Sequence, residues 1–589
     1  MAILTFTGLT AEQQALAVQG PKFLWMDNGR YIVYTGTDMP VVQKEIQPDY
    51  ERNDFPNATN DTQLYNALNW YGGAVIPRGA DFIVDGLVVP DNAVITGTGT
   101  LRWLTSDTAN KTLTLGNGSR LENISLKPDV ANISAAKTIA YVATNSVDTV
   151  VSGIRLQAER NADGSTLEKL LVLEQHCDNV TVEGVRTKNG GYPFIGIDTT
   201  NSHFVNNKFY SGSSAMNFYG GKFNNILGNK VYGTNVHGTT GAPTVTNKST
   251  RSGINMLTFG FLGRSRGIVG NIIAGNHVFG VSEEAIGLDT HGNSAADSAE
   301  NPWIPLGTVW SVGIQNNHQI ITVQEPTTTN GVPAPSNWAN DCFMCVLTGA
   351  NTGYMVPVVN GFSVESSLPN TASFRIPLSG GPVNLAKGDK ILITYGIVDN
   401  TIESNVVRSS TTGVSLWGSS WSNVVNDNSI SAIDAGVQVA SVLGGAATPG
   451  VNKNTLGYSG GNSITDNRIR LEYSAQSELT ARGISPLRIG TWAYGTPDPT
   501  IPNNVNSTIS DNKIVSCKDT LVGGSFGSVD AGTSTVSGTV VADNKLSGQG
   551  TLVVGKTTDV SIGKNYRNGI REDYNAVKST TNTRLSLVG

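Results

Sequence analysis

The chain has 589 residues and a formal net charge of −6; 67 residues are glycine and only 15% are charged. This composition disfavours helices and favours turns. The acidic balance argues against a nucleic-acid partner, and no apolar run is long enough to cross a bilayer, so no membrane insertion is expected. The first residues lack the basic region of a secretory signal, which predicts synthesis in the cytoplasm.

The four cysteines are too few for a disulfide framework in a chain of this length. Cys342 and Cys345 form a CxxC without a second pair, and no other spacing is typical of metal ligands. Motifs for a phosphate-binding loop or a nucleophile elbow are also absent. The sequence therefore predicts neither a metal nor another cofactor.

The chain begins with a distinct segment, residues 1–55, which carries an apolar and aromatic stretch and no repeat. Residues 61–104 follow, with a short helix signal and then the sequence GGAVIPRG at 72–79. Repeats occupy residues 56–300 and resume at 399–554, so we interpret these two parts as one β-solenoid.

The repeats are interrupted at residues 301–398, where short alternating segments such as SFRIPL predict a small inserted β-domain. This domain leaves the solenoid just after a cluster of carboxylates, so we expect it to stand beside that cluster as a wall or lid. Residues 555–589 repeat only weakly and are interpreted as a capping or oligomerisation segment.

A corner motif, two apolar positions around an asparagine, recurs eight times, for example as NNILGNKV at 224–231 and NVVNDNSI at 423–430. The recurrent asparagines are Asn207, Asn229, Asn276, Asn405, Asn428, Asn467, Asn512 and Asn544. The closest are 22 and 23 residues apart, the length expected for one coil of a parallel β-helix. Asparagines stacked at such a corner can bond to one another's amides. An antiparallel sandwich with asparagine-rich turns is the alternative.

A second theme occurs six times, in YPFIGIDTT, SSAMNFYGG, RSGINMLTF, EEAIGLDTH, TTGVSLWGS and DAGVQVASV. Its fourth and sixth positions are always apolar, which predicts that they point into the coil. These inward residues are Ile195/Ile197, Met216/Phe218, Ile254/Met256, Ile286/Leu288, Val414/Leu416 and Val437/Val439. The fifth and seventh positions then form an outward ladder that includes Asn217, Asn255, Asp198, Tyr219, Asp289 and Trp417. Exposed aromatics beside amides and carboxylates are typical of a sugar-binding groove.

Residues 281–291 read VSEEAIGLDTH and place four ionisable groups on one strand of this ladder. Glycoside hydrolysis requires a proton donor and a carboxylate that attacks or activates water. We therefore predict Glu283, Glu284 and Asp289 as catalytic residues, without assigning which glutamate is the acid. His291 is a candidate substrate ligand.

Further substrate-binding candidates come from neighbouring coils. Arg251 occupies the Glu283 position one coil earlier and would hold an anionic sugar or orient a glutamate. Asp434 occupies it two coils later and is an alternative partner for Asp289. Asp198 lies three coils from Asp289 and suits a distant subsite, and Tyr219 and Trp417 would stack on sugar rings.

The stretch 61–104 resembles the opening of pectate-lyase-like β-helices, in which a capping helix closes the solenoid. With the coils that follow, the whole chain resembles a bacteriophage tailspike, a trimeric β-helix depolymerase of bacterial surface polysaccharide. The resemblance implies an all-β fold, a right-handed parallel β-helix solenoid with a small inserted β-domain. It also implies a homotrimer on the virion tail, attached to phage tail or adaptor proteins through its N-terminus and acting outside the bacterial cell.

The expected function is endo-glycosidic hydrolysis of capsule or O-antigen. Two alternatives stay open: a polysaccharide lyase and a non-catalytic polysaccharide-binding adhesin. A lyase would require Lys, Arg, His or Tyr at the centre of the ladder, whereas the centre here is acidic. The paired-aspartate and Gly-His-Gly motifs of fungal polygalacturonases are absent, so no catalytic role is carried over from them.

Overall fold

The structure is a computed structural model that describes residues 55–571 with gaps, the strands within 22–44, and residues 585–587. The gaps are 105–110, 130–137, 159–168, 212–213, 234–250, 259–266, 291–305, 325–341, 363–370, 444–455, 473–483, 494–500, 517, 526–535, 550–551 and 555–556. His291 lies outside the described residues. The first three strands, Lys22–Trp25, Arg30–Tyr34 and Pro40–Lys44, pair antiparallel in a separate sheet.

One helix, α1 (Asp61–Tyr71), precedes the first coil. Asn60 caps its first turn by accepting from the backbone N–H of Gln63 at 2.8 Å. Gly72 ends it in the left-handed region, at φ 66°, and donates to the carbonyl of Leu68. Leu64 and Leu68 are buried in the solenoid core, so α1 closes the end of the solenoid where the sequence predicts a capping helix.

Each complete coil then passes through up to four strands, which stack on the equivalent strands of the next coil in parallel register. We number the stacks 1 to 4 in chain order within a coil. Stack 1 consists of Gly73–Ile76, Val94–Gly97, Arg120–Glu122, Val150–Ser152, Thr181–Glu183, His203–Val205, Asn225–Leu227, Ile272–Ala274, Thr401–Glu403, Val424–Asn426, Ser463–Thr465, Thr508–Ser510, Val536–Ala542, Thr557–Ile562 and Leu585–Leu587. Stack 2 consists of Asp81–Val84, Thr100–Trp103, Ser125–Pro128, Arg155–Gln157, Arg186–Gly190, Lys208–Ser211, Lys230–Tyr232, His277–Phe279, Arg468–Leu471, Lys513–Val515, Lys545–Ser547 and Tyr566–Arg567. Ile570–Arg571 pairs antiparallel with the last of these strands.

Stacks 3 and 4 complete the coil. Stack 3 consists of Leu87–Val89, Lys111–Leu115, Thr138–Val142, Lys169–Leu173, Tyr192–Ile197, Ser214–Tyr219, Ser252–Leu257, Glu284–Asp289, Ser485–Ala493, Thr520–Ser525 and Leu552–Val554. Two long strands, Val406–Trp417 and Ser429–Leu443, run through stacks 2 and 3, and Leu456–Gly457 pairs with the end of the second. Stack 4 consists of Gly221–Lys222, Ile268–Val269, Ile397–Val398, Ser420–Trp421, Ser459–Gly460 and Asn504–Val505.

The interior of the coils is a continuous apolar core, because strand residues alternate between core and solvent. Phe194, Phe204 and Phe218 form an aromatic cluster in it, with ring centroids 5.0 to 5.1 Å apart. The all-β parallel solenoid predicted from the repeats is confirmed, and the antiparallel-sandwich alternative is wrong for the coils.

Two buried asparagine ladders fix the corners of the coil. In the first, between stacks 1 and 2, each side-chain amide donates to the oxygen of the asparagine one coil above, as from Asn207 to Asn229 at 2.9 Å. All eight predicted asparagines belong to it, and Asn565 extends it. The second ladder, between stacks 4 and 1, was not predicted. It contains Asn224, Asn271, Asn400, Asn423 and Asn462.

The interruption of the repeats contains a seven-stranded antiparallel sheet with its own apolar core. Its strands are Leu306–Gln315, His318–Gln324, Phe343–Val346, Met355–Pro357, Asn360–Phe362, Thr371–Pro377 and Lys390–Thr394. Cys345 and Leu392 of this sheet pack against Val398, Trp421 and other residues of stack 4 and its connections. The described apolar contacts thus attach the insert beside stack 4, rather than over stack 3.

The solenoid also continues beyond residue 554, where the sequence predicts that it ends. Thr557–Ile562 and Leu585–Leu587 add further strands to stack 1. Within the described residues, no helix is long and apolar enough to span a membrane.

Candidate active site

The outward ladder is formed on stack 3. Asn217, Asn255, Gly287 and Ser415 follow one another in register, and so do Tyr219, Leu257, Asp289 and Trp417. The residues between them, such as Ile286 and Leu288, are fully buried in the core. For these coils the inward and outward positions are those that the alternation predicts.

The coil at 192–200 departs from the prediction by one residue. Phe194, not Ile195, pairs with Met216, and Ile195 pairs with Asn217. Ile195 and Ile197 therefore lie on the outer face, where Ile195 packs with Tyr141 and Val172 in a small apolar cluster. The alternation was ambiguous here because the outer face of this coil is itself apolar.

Asp198 is consequently not a ladder residue. It lies after the strand in the left-handed region, at φ 49°, and is 8% exposed. Its carboxylate Oδ2 is 2.7 Å from Nδ1 of His176. Asp198 is therefore a corner residue in contact with His176, and its role in a distant subsite stays a prediction.

Glu284 also reaches the outer face, although it lies two residues before the inward Ile286. Ala285 is fully buried in the core, so the strict alternation of the strand is broken at this point. A Cβ atom placed on the outward Gly287 would lie 3.2 Å from Cβ of Glu284. The side chain of Glu284 thus borders the same outer surface as Gly287.

Gly287 is a close-packed position of the ladder. The residues in register below and above it are Asn255 and Ser415, whereas Gly287 has no side chain. A Cβ there would meet Oδ1 of Asn255 at 3.1 Å as well as Glu284. The absence of a side chain at Gly287 therefore lets an amide and a carboxyl-bearing side chain approach each other closely over the backbone, two residues before Asp289 on the same strand.

Glu283 is held by an ion pair. Nε of Arg251, one coil below, lies 2.5 Å from Oε2 of Glu283. The Glu283 side chain is 18% exposed and that of Arg251 is 52% exposed. Arg251 thus lies where the sequence predicts it, and its contact is with Glu283.

The surroundings of Glu284 raise the pKa of its carboxyl group. Burial of its carboxyl group raises its pKa to about 7, and the negative charges of Glu283 and Asp289 act in the same direction. Arg251 acts in the opposite direction. A carboxyl group with such a pKa is partly protonated near neutral pH, as a general acid must be.

Aromatic side chains flank the carboxylates along the ladder. Trp417 is half-buried and lies in register directly above Asp289. Thr290 fixes the end of this strand, because its hydroxyl accepts from the N–H of Ser419 at 2.7 Å. On the other side of the site, Tyr219 is half-buried against the outer apolar cluster, and burial raises its pKa.

The remaining predicted residues have different surroundings. Asn217 is buried and lies 3.5 Å from the amide nitrogen of Asn255. Asp434 is 1% exposed and ion-paired with the equally buried Arg488. Asp434 is thus engaged beneath the surface rather than presented to a substrate. The sequence reasoning missed Arg488, although it follows the ladder in register after Gln438.

A metal site is not formed by this cluster. Among the described residues, no group of three or more His, Cys, Asp or Glu side chains is arranged to hold a metal ion. The chemistry available at the surface is therefore that of a carboxyl group with a raised pKa, a neighbouring carboxylate and flanking aromatic rings.

No protein-family model matches the chain, and no curated protein sequence does so either. Solved structures do show likeness to its fold. The Dettilon tailspike protein aligns with a TM-score of 0.38 and 9% identity, over 89% of this chain and 64% of the tailspike. The chain thus spans less than two thirds of that protein's length.

Two further structures resemble the chain to a similar degree. A variant of the periplasmic alginate epimerase AlgG has a TM-score of 0.35 and 10% identity, over 88% of this chain and 77% of the epimerase. The catalytic domain of a GH87 alpha-1,3-glucanase variant in complex with nigerose has a TM-score of 0.36 and 11% identity, over 80% and 71% respectively. We transfer no residue role from any of these structures.

Proposed function

We propose that the protein hydrolyses glycosidic bonds within a polysaccharide that lies along stack 3. The observation that carries this proposal is the pair formed by Glu284, whose pKa is raised to about 7, and Asp289 on the same outward strand. A carboxyl group that keeps its proton near neutral pH can act as the acid, and a second carboxyl group beside it can act as the base or nucleophile.

In this mechanism Glu284 donates its proton to the glycosidic oxygen as the bond to the anomeric carbon breaks. Asp289 either attacks that carbon or removes a proton from an attacking water. Glu283 is held by Arg251, and its negative charge helps Glu284 to keep its proton. The stereochemical outcome is open between retention and inversion.

The surrounding residues would bind the sugars. Gly287 lets the amide of Asn255 lie close to Glu284, so this amide can bind a hydroxyl of a sugar held at Glu284. Trp417 lies next to Asp289 and can stack on the apolar face of a neighbouring ring. In this proposal the carboxyl groups catalyse bond cleavage, and the ring of Trp417 contributes to the affinity for the substrate.

Hydrolysis fits the site better than elimination. A lyase needs a base for the proton at C5 of a uronate and a cation that neutralises the uronate carboxylate. The cation at this position, Arg251, is bonded to Glu283, and the centre of the ladder is acidic. A binding-only protein would not need a carboxyl group with a raised pKa.

The test uses purified chain and a panel of bacterial capsular and O-antigen polysaccharides. Hydrolysis releases new reducing ends without the ultraviolet absorbance of an unsaturated uronate. We expect Asp289→Asn to lower kcat by a factor of about 10³ or more while the fold is retained. A Glu283→Gln, Glu284→Gln double variant with near-normal turnover would remove this cluster from the mechanism.

We further propose the narrower role that the sequence resemblance implies. The protein would be a tailspike depolymerase in a bacteriophage virion, trimeric and attached to the tail or an adaptor through its N-terminal segment. Its substrate would be the capsule or O-antigen of the host. Binding of the chain to intact host cells, lost after enzymatic removal of the capsule, would support this role.

A further inference from the structure

A column of four like charges lies on the outer surface of stack 2. Arg155 is in register with Arg186, Arg186 with Lys208, and Lys208 with Lys230. One cation therefore stands above the next at each coil, a rise of about 4.8 Å. Like charges at this spacing repel one another and attract an external anion.

None of these four cations has an ion-pair partner in the part of the chain that the structure describes. Lower on the same stack the situation differs, because Asp81 pairs with Arg102 at 2.7 Å and with Lys127 at 3.0 Å. Glu183, at the end of the preceding stack 1 strand, forms no ion pair with the column.

The upper coils provide an internal comparison. There the equivalent cations Arg468, Lys513 and Lys545 each follow an aspartate by two residues. These aspartates are Asp466, Asp511 and Asp543, and all lie in the left-handed region. One cleft of about 310 Å³ is lined by Asp466, Asp511, Arg468 and Lys513, together with Asn426 and Asp427. Opposite charges therefore face the same space. In the lower coils this left-handed corner holds Gly153, Gly184, Asn206 and Gly228 instead.

An exposed aromatic stack accompanies the lower cations. Tyr210 and Tyr232 follow Lys208 and Lys230 by two residues, so they point outward on the same strands. Their rings are stacked with centroids 4.9 Å apart and planes at 13°. They are 48% and 37% exposed, and Phe279, in register above them, is 49% exposed.

We propose that Arg155, Arg186, Lys208 and Lys230, with Tyr210 and Tyr232, form a binding site for an acidic polysaccharide. The cations would bind carboxylate groups along the polymer, and the ring edges and hydroxyls would contact the sugars. We call this surface the cation-aromatic patch. It lies one strand before stack 3 in each coil, so a long polymer can contact both surfaces. The proposal rests on the polysaccharide-binding part of the proposed function and not on cleavage.

The polymer class follows from the chemistry of the patch. A neutral glycan has no negative charge to pair with the four cations, whereas a uronic-acid polymer supplies one carboxylate per charged sugar. A nucleic acid would also supply charge, and the net charge of −6 opposes the approach of either polyanion over long distances. The polysaccharide is favoured because the patch lies one strand before stack 3, where the proposed function places a glycan.

The test measures equilibrium binding of polygalacturonate and of neutral dextran to the immobilised full chain. The test variant is Lys208→Gln with Lys230→Gln, and the matched control is Arg468→Gln with Lys513→Gln at equivalent positions of aspartate-lined coils. We expect the test variant to bind polygalacturonate about tenfold more weakly, since each exposed pair contributes a few-fold. The control variant should change affinity less than about twofold.

A second variant, Tyr232→Ala, should weaken binding a few-fold without altering the charge. Three outcomes would each overturn the proposal. The test and control variants could lose affinity equally, or dextran could bind as tightly as polygalacturonate. The third outcome is that a single-stranded DNA of equal charge binds more tightly than polygalacturonate. Binding is measured without turnover, so a failure of cleavage leaves this test unaffected. A failure here leaves Glu284 and Asp289 in their proposed roles.

Discussion

Replacing Glu284 by glutamine should change how the stability of the protein depends on pH. Burial, assisted by the charges of Glu283 and Asp289, raises the pKa of this carboxyl group from 4.5 to about 7. Between these values the folded protein keeps a proton that the unfolded chain gives up. The stability associated with Glu284 is therefore present at low pH and is lost as the pH rises through about 7.

The size of this stability change follows from the difference between the two pKa values of Glu284, 4.5 in the unfolded chain and about 7 in the folded protein. At about 1.4 kcal/mol per pH unit, the free energy of unfolding should fall by roughly 3 kcal/mol because of this one group. Glu284→Gln removes the titration, so the variant should gain stability relative to the wild type as the pH rises from about 5 to about 8. Denaturant unfolding at both pH values measures the difference.

The same substitution tests the catalytic role. If Glu284 is the general acid, kcat/KM of the wild type should fall about tenfold per pH unit above about pH 7. Glu284→Gln should be slower by a factor of about 10² to 10⁴ and should lack this fall. The assay is the initial rate of reducing-end release across the pH range.

Glu403→Gln, on the outside of stack 1, is the matched control for the loss of one glutamate. It should leave both the pH dependence of stability and the rate profile unchanged. The reasoning would be refuted if the stability difference between Glu284→Gln and wild type were the same at both pH values.

Three further outcomes are expected. Trp417→Ala should raise KM about two- to tenfold and leave kcat nearly unchanged, because stacking of this kind contributes about 0.5 to 1.5 kcal/mol; a collapse of kcat at constant KM would contradict a stacking role. Asn428→Ala should lower the free energy of unfolding by about 3 kcal/mol, since buried groups of Asn405 and Asn467 lose their partner, whereas Asn225→Ala on the outside should cost less than about 1 kcal/mol. Light scattering should give a homotrimer, about three times the 62.1 kDa chain, and a stable monomer that cleaves polysaccharide would exclude that assembly.

The asparagine corners show how far the sequence alone can predict this fold. The eight asparagines of the first ladder are visible because each follows a small or polar corner residue at a repeating distance. The second ladder has an equally visible signal, since Asn224, Asn271 and Asn423 begin the same repeated motif. It was missed because these asparagines were interpreted as the first residues of strands, and the first residue of a strand does not have to be a buried amide.

The candidate site was less predictable than the corners. Side-chain alternation assigned Asp289 and Trp417 to the outer face, because their neighbours are strongly apolar. It failed at Ile195, where both faces are apolar, and it could not reveal the break at Ala285 that brings Glu284 to the surface. Burial of Asp434 beside Arg488 depends on contacts between distant coils, which no local pattern encodes.

The two asparagine ladders also determine where the chain can vary in length. From the second ladder to the first, the separation is always five residues, as from Asn224 to Asn229. From the first ladder to the second it ranges from 17 residues, after Asn207, to 124, after Asn276. In the coils that carry both ladders, the length therefore varies only in the portion that contains stacks 2, 3 and 4. The variable segments adjoin the strand that carries Glu284 and Asp289, so their lengths change the surroundings of these carboxyl groups, while the constant five-residue step fixes the spacing between the two ladders.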